Sequence, residues 1–292
     1  MPETSTVSAA CQAKVSTEIL PCSSASASIL QQMLGLLKYR QVLFLLTSRD
    51  ISARYRGSLL GRLWPLVHPL GQLLIYSFVF SIVLKIKFAE SSSVGSFAIY
   101  FMAGLIPWSV FAESSSRSTT SILENPNLVS KVVFPLEVLP LVNVFSAFST
   151  QFLASIILLI AATIYIGKIQ ATVLYLPLIV FALLSFSAGL SWFLASMGVF
   201  LRDTRHLVSL ALQAGMYATP ILYPAKSVPL EYKWVLLINP MAGIVEDFRR
   251  TLLEGLPPDW LRFVTYETVS ILVALGGLWF FLKTKRSFAD VM

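Results

Sequence analysis

The sequence predicts an all-α membrane protein with six transmembrane helices. A mean hydropathy of +0.74 over 292 residues comes with only 13% charged residues, about half the charge of an average soluble domain. Six apolar stretches are long enough to cross a bilayer. The basic residues also alternate between the intervening segments as they do in multi-pass proteins. The same figures exclude a disordered chain, which needs low hydrophobicity and high charge. The net charge of +7 is accounted for by basic loops on one face of a membrane, so nucleic acid is not expected as a partner.

Residues 1–28 are dominated by Ser, Ala and Thr and lack a basic start followed by an apolar run. A cleaved signal is therefore not expected, and the segment reads as a flexible cytoplasmic tail. Leu20-Pro21-Cys22 is a poor lipoprotein box. Cys11 and Cys22, the only cysteines, have neither metal-ligand spacing nor a disulfide framework.

From residue 29 the chain reads as one six-span membrane domain running to 292. Ile29, Leu30, Met33, Leu34, Leu37 and then 43–46 give an apolar stripe, with Gln31, Gln32, Lys38, Arg40 and Gln41 opposite. This predicts an amphipathic helix over 29–46, lying in the membrane interface. Arg49, Arg54 and Arg56 follow. One reading is that they anchor the chain to anionic headgroups. The other is that they bind a phosphate-bearing substrate headgroup, for which the planar fork of arginine is suited. Both can hold together.

A helix needs about 20 residues to cross a ~30 Å hydrocarbon core. The expected spans are 63–86, 97–119, 136–166, 173–201, a shorter one at 207–223, and 263–282. With both termini in the cytoplasm, fourteen of the 22 basic residues fall inside. The short outside loops then hold only Lys85, Lys87 and Lys168.

The second span is uneven. Its outer half is apolar and aromatic, while 113–121 contains no apolar residue. Such a run must face protein or water. Glu113 and Arg117 are spaced to pair on one helix face or to line a polar entry to a transport path. The inside loop that follows carries Glu124, Asn125, Pro126, Asn127, Leu128 and Lys131, and Asn-Pro predicts a short surface helix that could dock a partner. Between spans five and six, residues 224–258 form an outside insertion of two short re-entrant or interfacial helices. The first covers 232–238. The second opens at Asn239-Pro240 and closes at Gly255, with Glu246 and Arg250 placed for an ion pair.

Little here supports chemistry. His68 and His206 have no second ligand in spacing, so no metal site is expected, and no catalytic residues are assigned. Neither a P-loop nor a G-x-S-x-G elbow occurs, so the chain cannot bind ATP by a P-loop. Intramembrane acids are few, which argues against a proton- or sodium-driven carrier. What remains is a passive pore or a transporter driven by another chain. Trp64, Tyr76, Tyr100, Trp108, Trp192, Tyr217 and Tyr223 lie in or at the ends of spans. They read as interfacial belt and packing, or as an aromatic wall on which sugar rings stack.

Several short motifs, in order, then carry a resemblance. They are Arg49-Asp50-Ile51 with Arg54-Tyr55, Ser58, Gly61, Trp64 and Pro69; Gly104-Leu105-Ile106-Pro107-Trp108; and Asn127-Leu128 and Lys131 with Phe134-Pro135. Arg202-Asp203, Asn239-Pro240 with Phe248-Arg249, and Phe288-Ala289-Asp290 complete the set. Together they resemble the permeases of ABC exporters for O-antigen and teichoic acid. The resemblance implies a homodimer of six-span permeases in the inner membrane, working with two copies of a separate P-loop ATPase. ATP and Mg²⁺ would be held by that partner, and this chain would carry no cofactor. It implies a lipid-linked polysaccharide moved outward from the cytoplasmic leaflet. Residues 124–134 would form the coupling helix, Arg202-Asp203 a second ATPase contact, and Arg54 and Arg56 candidates for the lipid pyrophosphate. Teichoic acid, capsule and drug substrates stay open within this fold. A membrane-bound glycosyl or acyl transferase built on Glu246, Asp247 and Arg249 is a different class, and a structural scaffold a third.

Overall fold

The computed structural model describes residues 35, 37–83, 96–130, 134–167 and 170–291, all helix, turn or loop. Tyr39–Met292 form one compact unit. The 1–28 tail and residues 29–34 lie outside the described residues.

Among the described residues, helix α1 spans Arg40–Arg54; it overlaps the end of the expected 29–46 helix, of which residues 29–34 and 36 lie outside the described set. It continues past residue 46 because Thr47, Asp50, Ile51 and Arg54 recur at helical spacing and give it a face to pack on α5 (Val138–Ile166). Gly57 and Gly61, both at positive φ, then turn the chain, a conformation glycine adopts without a Cβ penalty.

Next comes α2, Trp64–Tyr76, which runs into a π-helical stretch at Ser77–Val83. It starts one residue later than expected, and residues 84–86 of the expected span lie outside the described set. Helix α3 covers Ser96–Ser118. A tight elbow leads to the short α4, Pro126–Ser130. Then comes α5, capped by Gly167 at φ 79°. A 3-10 turn at Ala171–Tyr175 leads into α6, Leu176–Phe200.

Helices α3, α5, α6 and α10 (Trp260–Thr284) lie in the four segments that are long and apolar enough to cross a membrane: Phe97–Ser118, Val138–Tyr165, Ala171–Phe200 and Trp260–Ser287. The expected fifth span is instead a 15-residue helix, α7, Thr204–Ala218. At 1.5 Å per residue it is about 22 Å long, and it breaks at Thr219-Pro220.

The insertion contains the two helices read from the prolines. They are α8, Lys233–Ile238, and α9, Pro240–Arg249, extended by a π turn to Glu254 and closed by Gly255 in the left-handed region. Asn239 caps α9: its Oδ1 accepts from Met241 N at 3.0 Å, and its Nδ2 donates to Thr219 Oγ1 at 2.9 Å. The chain closes with α11, Phe288–Val291.

The core is built by α3, which packs on α5, α6 and α9, and by the α6–α10 pair. Two close approaches fix α6. A Cβ on Gly277 would meet the Gly189 carbonyl, so α10 crosses α6 backbone to backbone. On the opposite side of α6, a Cβ on Gly198 would meet the Thr119 carbonyl. Small residues allow this contact between apolar helices.

Candidate functional site

The polar half of α3 faces protein. Ser114, Ser115, Ser118, Thr119 and Ser121 are buried, as are Asn143 and Ser146 of α5. The charges of this region form a cluster across three helices. Arg117 donates to both carboxylate oxygens of Asp50, at 3.0 and 2.6 Å. Arg54 reaches Glu113 at 2.5 Å and Ser146 Oγ at 3.0 Å. The Ser146 hydroxyl donates to Asp50 at 2.6 Å.

The Glu113–Arg117 pair expected from spacing is the loosest contact, at 3.9 Å. The strong bonds run between helices. The reason is geometric: Asp50 and Arg54 present the opposite charges from α1 at bonding distance. Burial by itself raises the Asp50 carboxyl. The hydrogen bonds from Arg117 and Ser146 and the two guanidinium charges outweigh it and hold Asp50 below its ordinary range.

This cluster also separates the three arginines grouped for a headgroup. Arg54 is engaged with two carboxylates and a hydroxyl. Arg49 and Arg56 are exposed and form no ion pair among the described residues. On a helical wheel Arg49 lies away from the packed Thr47–Asp50–Arg54 face, and Arg56 follows α1 in the turn before Gly57.

Below the cluster the chain leaves α3 through a rigid elbow. Ser121 and Ile122 are buried. Asn125 Nδ2 donates to the Ser121 carbonyl at 2.9 Å, and Thr120 Oγ1 donates to Glu124 at 2.7 Å. Asn125 therefore closes the elbow with its amide, and Pro126 opens α4 with no N–H to satisfy. Leu123, Glu124, Pro126 and Asn127 are exposed, and Leu128 is half-buried. Lys131 lies outside the described residues. The loop after α6, with Arg202 and Asp203 exposed, is at the same end, since Gly198 meets Thr119. Helix α11 also touches α4 and α6, with Phe288 buried against Phe281 and Phe200. One end of the molecule thus presents an exposed, well-anchored surface built from three stretches of sequence.

The aromatics divide. Trp108 is buried, meets the Phe111 ring at a tilt with centroids 5.3 Å apart, and packs against Gly215 of α7. Tyr100 is also buried. Tyr76 is half-buried, edge-on to Phe101 at 4.6 Å. Trp192 is a packing residue whose indole donates to the Glu137 carbonyl at 2.9 Å. Trp64 and Tyr217 are exposed. Tyr223 is half-buried and donates its hydroxyl to the Tyr217 carbonyl at 2.8 Å. Burial could not be read from aromatic content alone.

At the other end, α9 inserts between α3, α6 and α10. Asp247 is buried and accepts from Tyr266 Oη at 3.1 Å and Asp259 N at 3.3 Å. Arg249 is 1% exposed. It donates to the Tyr100 carbonyl at 3.1 Å, to Ile221 O at 2.6 Å and to Pro220 O, with its guanidinium 3.8 Å from the Tyr100 ring. The expected Glu246–Arg250 pair does not form, because Arg250 donates instead to the Pro257 carbonyl at 2.7 Å. Asp247 and Arg249, two of the three residues that suggested a transferase site, are therefore occupied in holding the insertion, while Glu246 keeps one buried carboxylate oxygen without a hydrogen-bond partner among the described residues. Sequence spacing missed Arg249's hydrogen-bond acceptors, among them three backbone carbonyls, which no side-chain pattern signals.

Comparison with known proteins fits this architecture. The ABC-2 type transporter family profile matches residues 41–253, from α1 into the turn that closes α9. The chain is 30% identical to the O-antigen export system permease protein RfbA of Klebsiella pneumoniae, over 86% of this chain and 95% of that protein. It is 29% identical to the RfbA of Myxococcus xanthus, over 87% and 96%. It is 24% identical to the polysialic acid transport protein KpsM of Escherichia coli, over 78% and 89%. The resemblance read from short motifs thus extends over nearly the whole length of these relatives, and the chain belongs to the ABC-2 type transporter family.

Proposed function

We propose that this chain is the permease subunit of an ATP-driven exporter that moves a lipid-linked, O-antigen-like polysaccharide from the cytoplasmic to the outer face of the inner membrane. The observation that carries the reading is the exposed elbow at the end of α3. A long buried helix ends in Leu123–Leu128, a surface with no chemistry of its own, beside the Arg202–Asp203 loop. Such a surface is suited to receive force. The chain has no P-loop, so the force comes from a separate ATPase, two copies serving two permeases. Glu124, Asn125, Asn127, Leu128, Lys131, Arg202 and Asp203 are the contacts, and ATP and Mg²⁺ belong to that partner. The substrate class follows the relatives, which are named for O-antigen and polysialic acid.

The membrane arrangement belongs to the same reading. Helices α2 and α7 complete six spans, with both termini cytoplasmic on the distribution of basic residues. Along α2, Leu66, Leu70, Leu74, Ile75 and Phe78 are exposed, and along α7 Leu207, Leu210 and Tyr217. A contiguous apolar face of this size marks an interaction surface, here lipid and a second copy of the chain. Trp64, Tyr76, Tyr217 and Tyr223 border the path. The buried Tyr100 and Trp108 support it from behind, and Glu113 and Arg117 hold its entrance. Arg49 and Arg56 meet the pyrophosphate headgroup, with Arg54 orienting α1 beneath them.

The test is affinity purification from native membranes in mild detergent, with mass spectrometry of what copurifies and an ATPase assay. A stoichiometric P-loop ATPase is expected, and it is lost when residues 127–131 are replaced by Gly and Ser. Purification of the intact chain with no ATPase partner refutes the reading.

A further inference from the structure

The most unusual side chain in the molecule is Arg249. A charge this buried is costly unless it is paired, yet no carboxylate lies within ion-pair distance of it among the described residues. Its compensation comes from three backbone carbonyls and the Tyr100 side chain, with the Glu246 and Glu254 carboxylates contributing at longer range. Those carbonyls belong to two separate segments: Tyr100 sits in the first turns of α3, while Pro220 and Ile221 lie past the break of α7. No helix follows that break to supply N–H donors, so these two carbonyls need an outside partner. Gly104 makes the arrangement possible, because a Cβ there would meet the guanidinium, 2.8 Å from Cζ.

Arg249 thus ties α9 to both α3 and the end of α7, alongside the bond from the Asn239 cap to Thr219. Tyr100 and Arg117 are 17 residues apart on α3, about 25 Å along one continuous helix. The elbow lies just beyond Arg117. A displacement of the elbow is carried by α3 to the carbonyl that Arg249 grips. A shift of α3 against α7 cannot leave all three bonds intact. A planar guanidinium has five donors and can exchange one carbonyl for another, which a single ammonium point charge cannot do in the same geometry.

We propose that Arg249 is a positioning residue of transport, a latch that ties the outer end of α7 and the external helix α9 to the motion of α3. Partner-driven movement at the elbow thereby reaches the far end of the path. This rests on the exporter reading, and the test separates the two.

In the native host, a strain lacking the gene is complemented with the wild-type gene, R249K, R249M or G104A. Surface polysaccharide is measured on intact cells by mild periodate oxidation and hydrazide labelling. ATPase activity is measured on the complex purified from the same cells. R249K and R249M keep the aliphatic stem. G104A keeps the arginine but displaces its guanidinium, so it decides the matter should the arginine variants not assemble. Assembled variants are expected to lose surface labelling at least tenfold while retaining ATPase activity.

A second readout uses spin labels at Ala214→Cys, exposed near the end of α7, and Glu254→Cys, with Cys11 and Cys22 replaced by Ser. The wild-type distance is expected to change between the nucleotide-free and the ATP-trapped complex, and in R249K to stop following nucleotide. Labelling within twofold of wild type in the assembled variants overturns the latch, as does an unchanged nucleotide response of the distance in R249K. Equal loss of labelling and ATPase activity reduces Arg249 to a structural residue and overturns it too. If the wild-type gene itself fails to restore labelling, the exporter reading fails first.

Discussion

Replacing Asp50 by Asn should release α1 from the bundle. In the folded chain Asp50 accepts two bonds from Arg117, one from Ser146 and a longer one from Arg54 at 3.4 Å. Its side chain is 26% exposed and that of Arg117 33%, so solvent screens the cluster only in part. Asn removes the charge and leaves two guanidinium groups sharing Glu113. Breaking a fully buried pair costs roughly 3–5 kcal/mol, and an exposed one 0–1 kcal/mol on the same order-of-magnitude footing. The intermediate exposure places this one at about 2 kcal/mol. Since 1.4 kcal/mol is about a factor of ten in an equilibrium, local opening of α1 should rise roughly 20- to 30-fold.

Hydrogen exchange with mass spectrometry on the detergent-purified complex reads this directly. Amides of 44–54 should exchange about 20-fold faster in D50N, while those of α6 and α10 stay as in wild type. Low pH should act in the same way. Folding holds this carboxyl below its ordinary value of 3.8. Its stabilisation is therefore complete above that pH and disappears only as pH falls through the lower, folded value. Protection of α1 should be unchanged from pH 7 to 5 and fall below about pH 4. Unchanged exchange in D50N, or loss of protection already at pH 6, would refute the assignment of this cluster as the clamp.

Other changes rest on the same geometry. Gly277→Val drives a side chain into the Gly189 carbonyl and should destabilise by about 3 kcal/mol, the upper range for overpacking. Gly276→Ala, with nothing within 4 Å of its built Cβ, should be neutral, and thermal unfolding in detergent compares the two. Asn239→Ala removes the cap of α9 and the bond to Thr219, with an expected loss of about 1–2 kcal/mol in the same assay. Replacing exposed Asn127 should leave thermal stability within about 0.5 kcal/mol while weakening capture of the ATPase on pull-down.

The legible features were those with a local physical signature. Asn239-Pro240 and Gly255 bound their helical unit because a cap, a preset φ and a left-handed glycine act within a few residues. The non-apolar run 113–121 implied a segment facing protein or water, and Ser114, Ser115, Ser118, Thr119 and Ser121 are buried against protein. What the sequence hid depends on partners distant in the chain. Glu113 and Arg117 looked like a pair on one helix, but their stronger partners are on α1, some 60 residues earlier. Arg54 looked available for a headgroup until Glu113 was seen beside it. The apolar stripe at 29–46 gave no sign that the helix continues to Arg54, because the polar positions of the 47–54 face are satisfied by α3 and α5. Tyr100 and Trp108 read either as packing or as an aromatic wall. They are packed because α9 and α7 return to cover α3, which residue spacing alone does not reveal.

The central claim is outward movement of a lipid-linked polysaccharide, and its most direct test is deletion of the gene in the native host. Intact cells are labelled by mild periodate and hydrazide, and lipid extracts of the inner membrane are assayed for glycan-bearing carrier. The account predicts loss of the surface label together with accumulation of lipid-linked glycan inside, both reversed by the wild-type gene. Undiminished surface label with no accumulated carrier would contradict it.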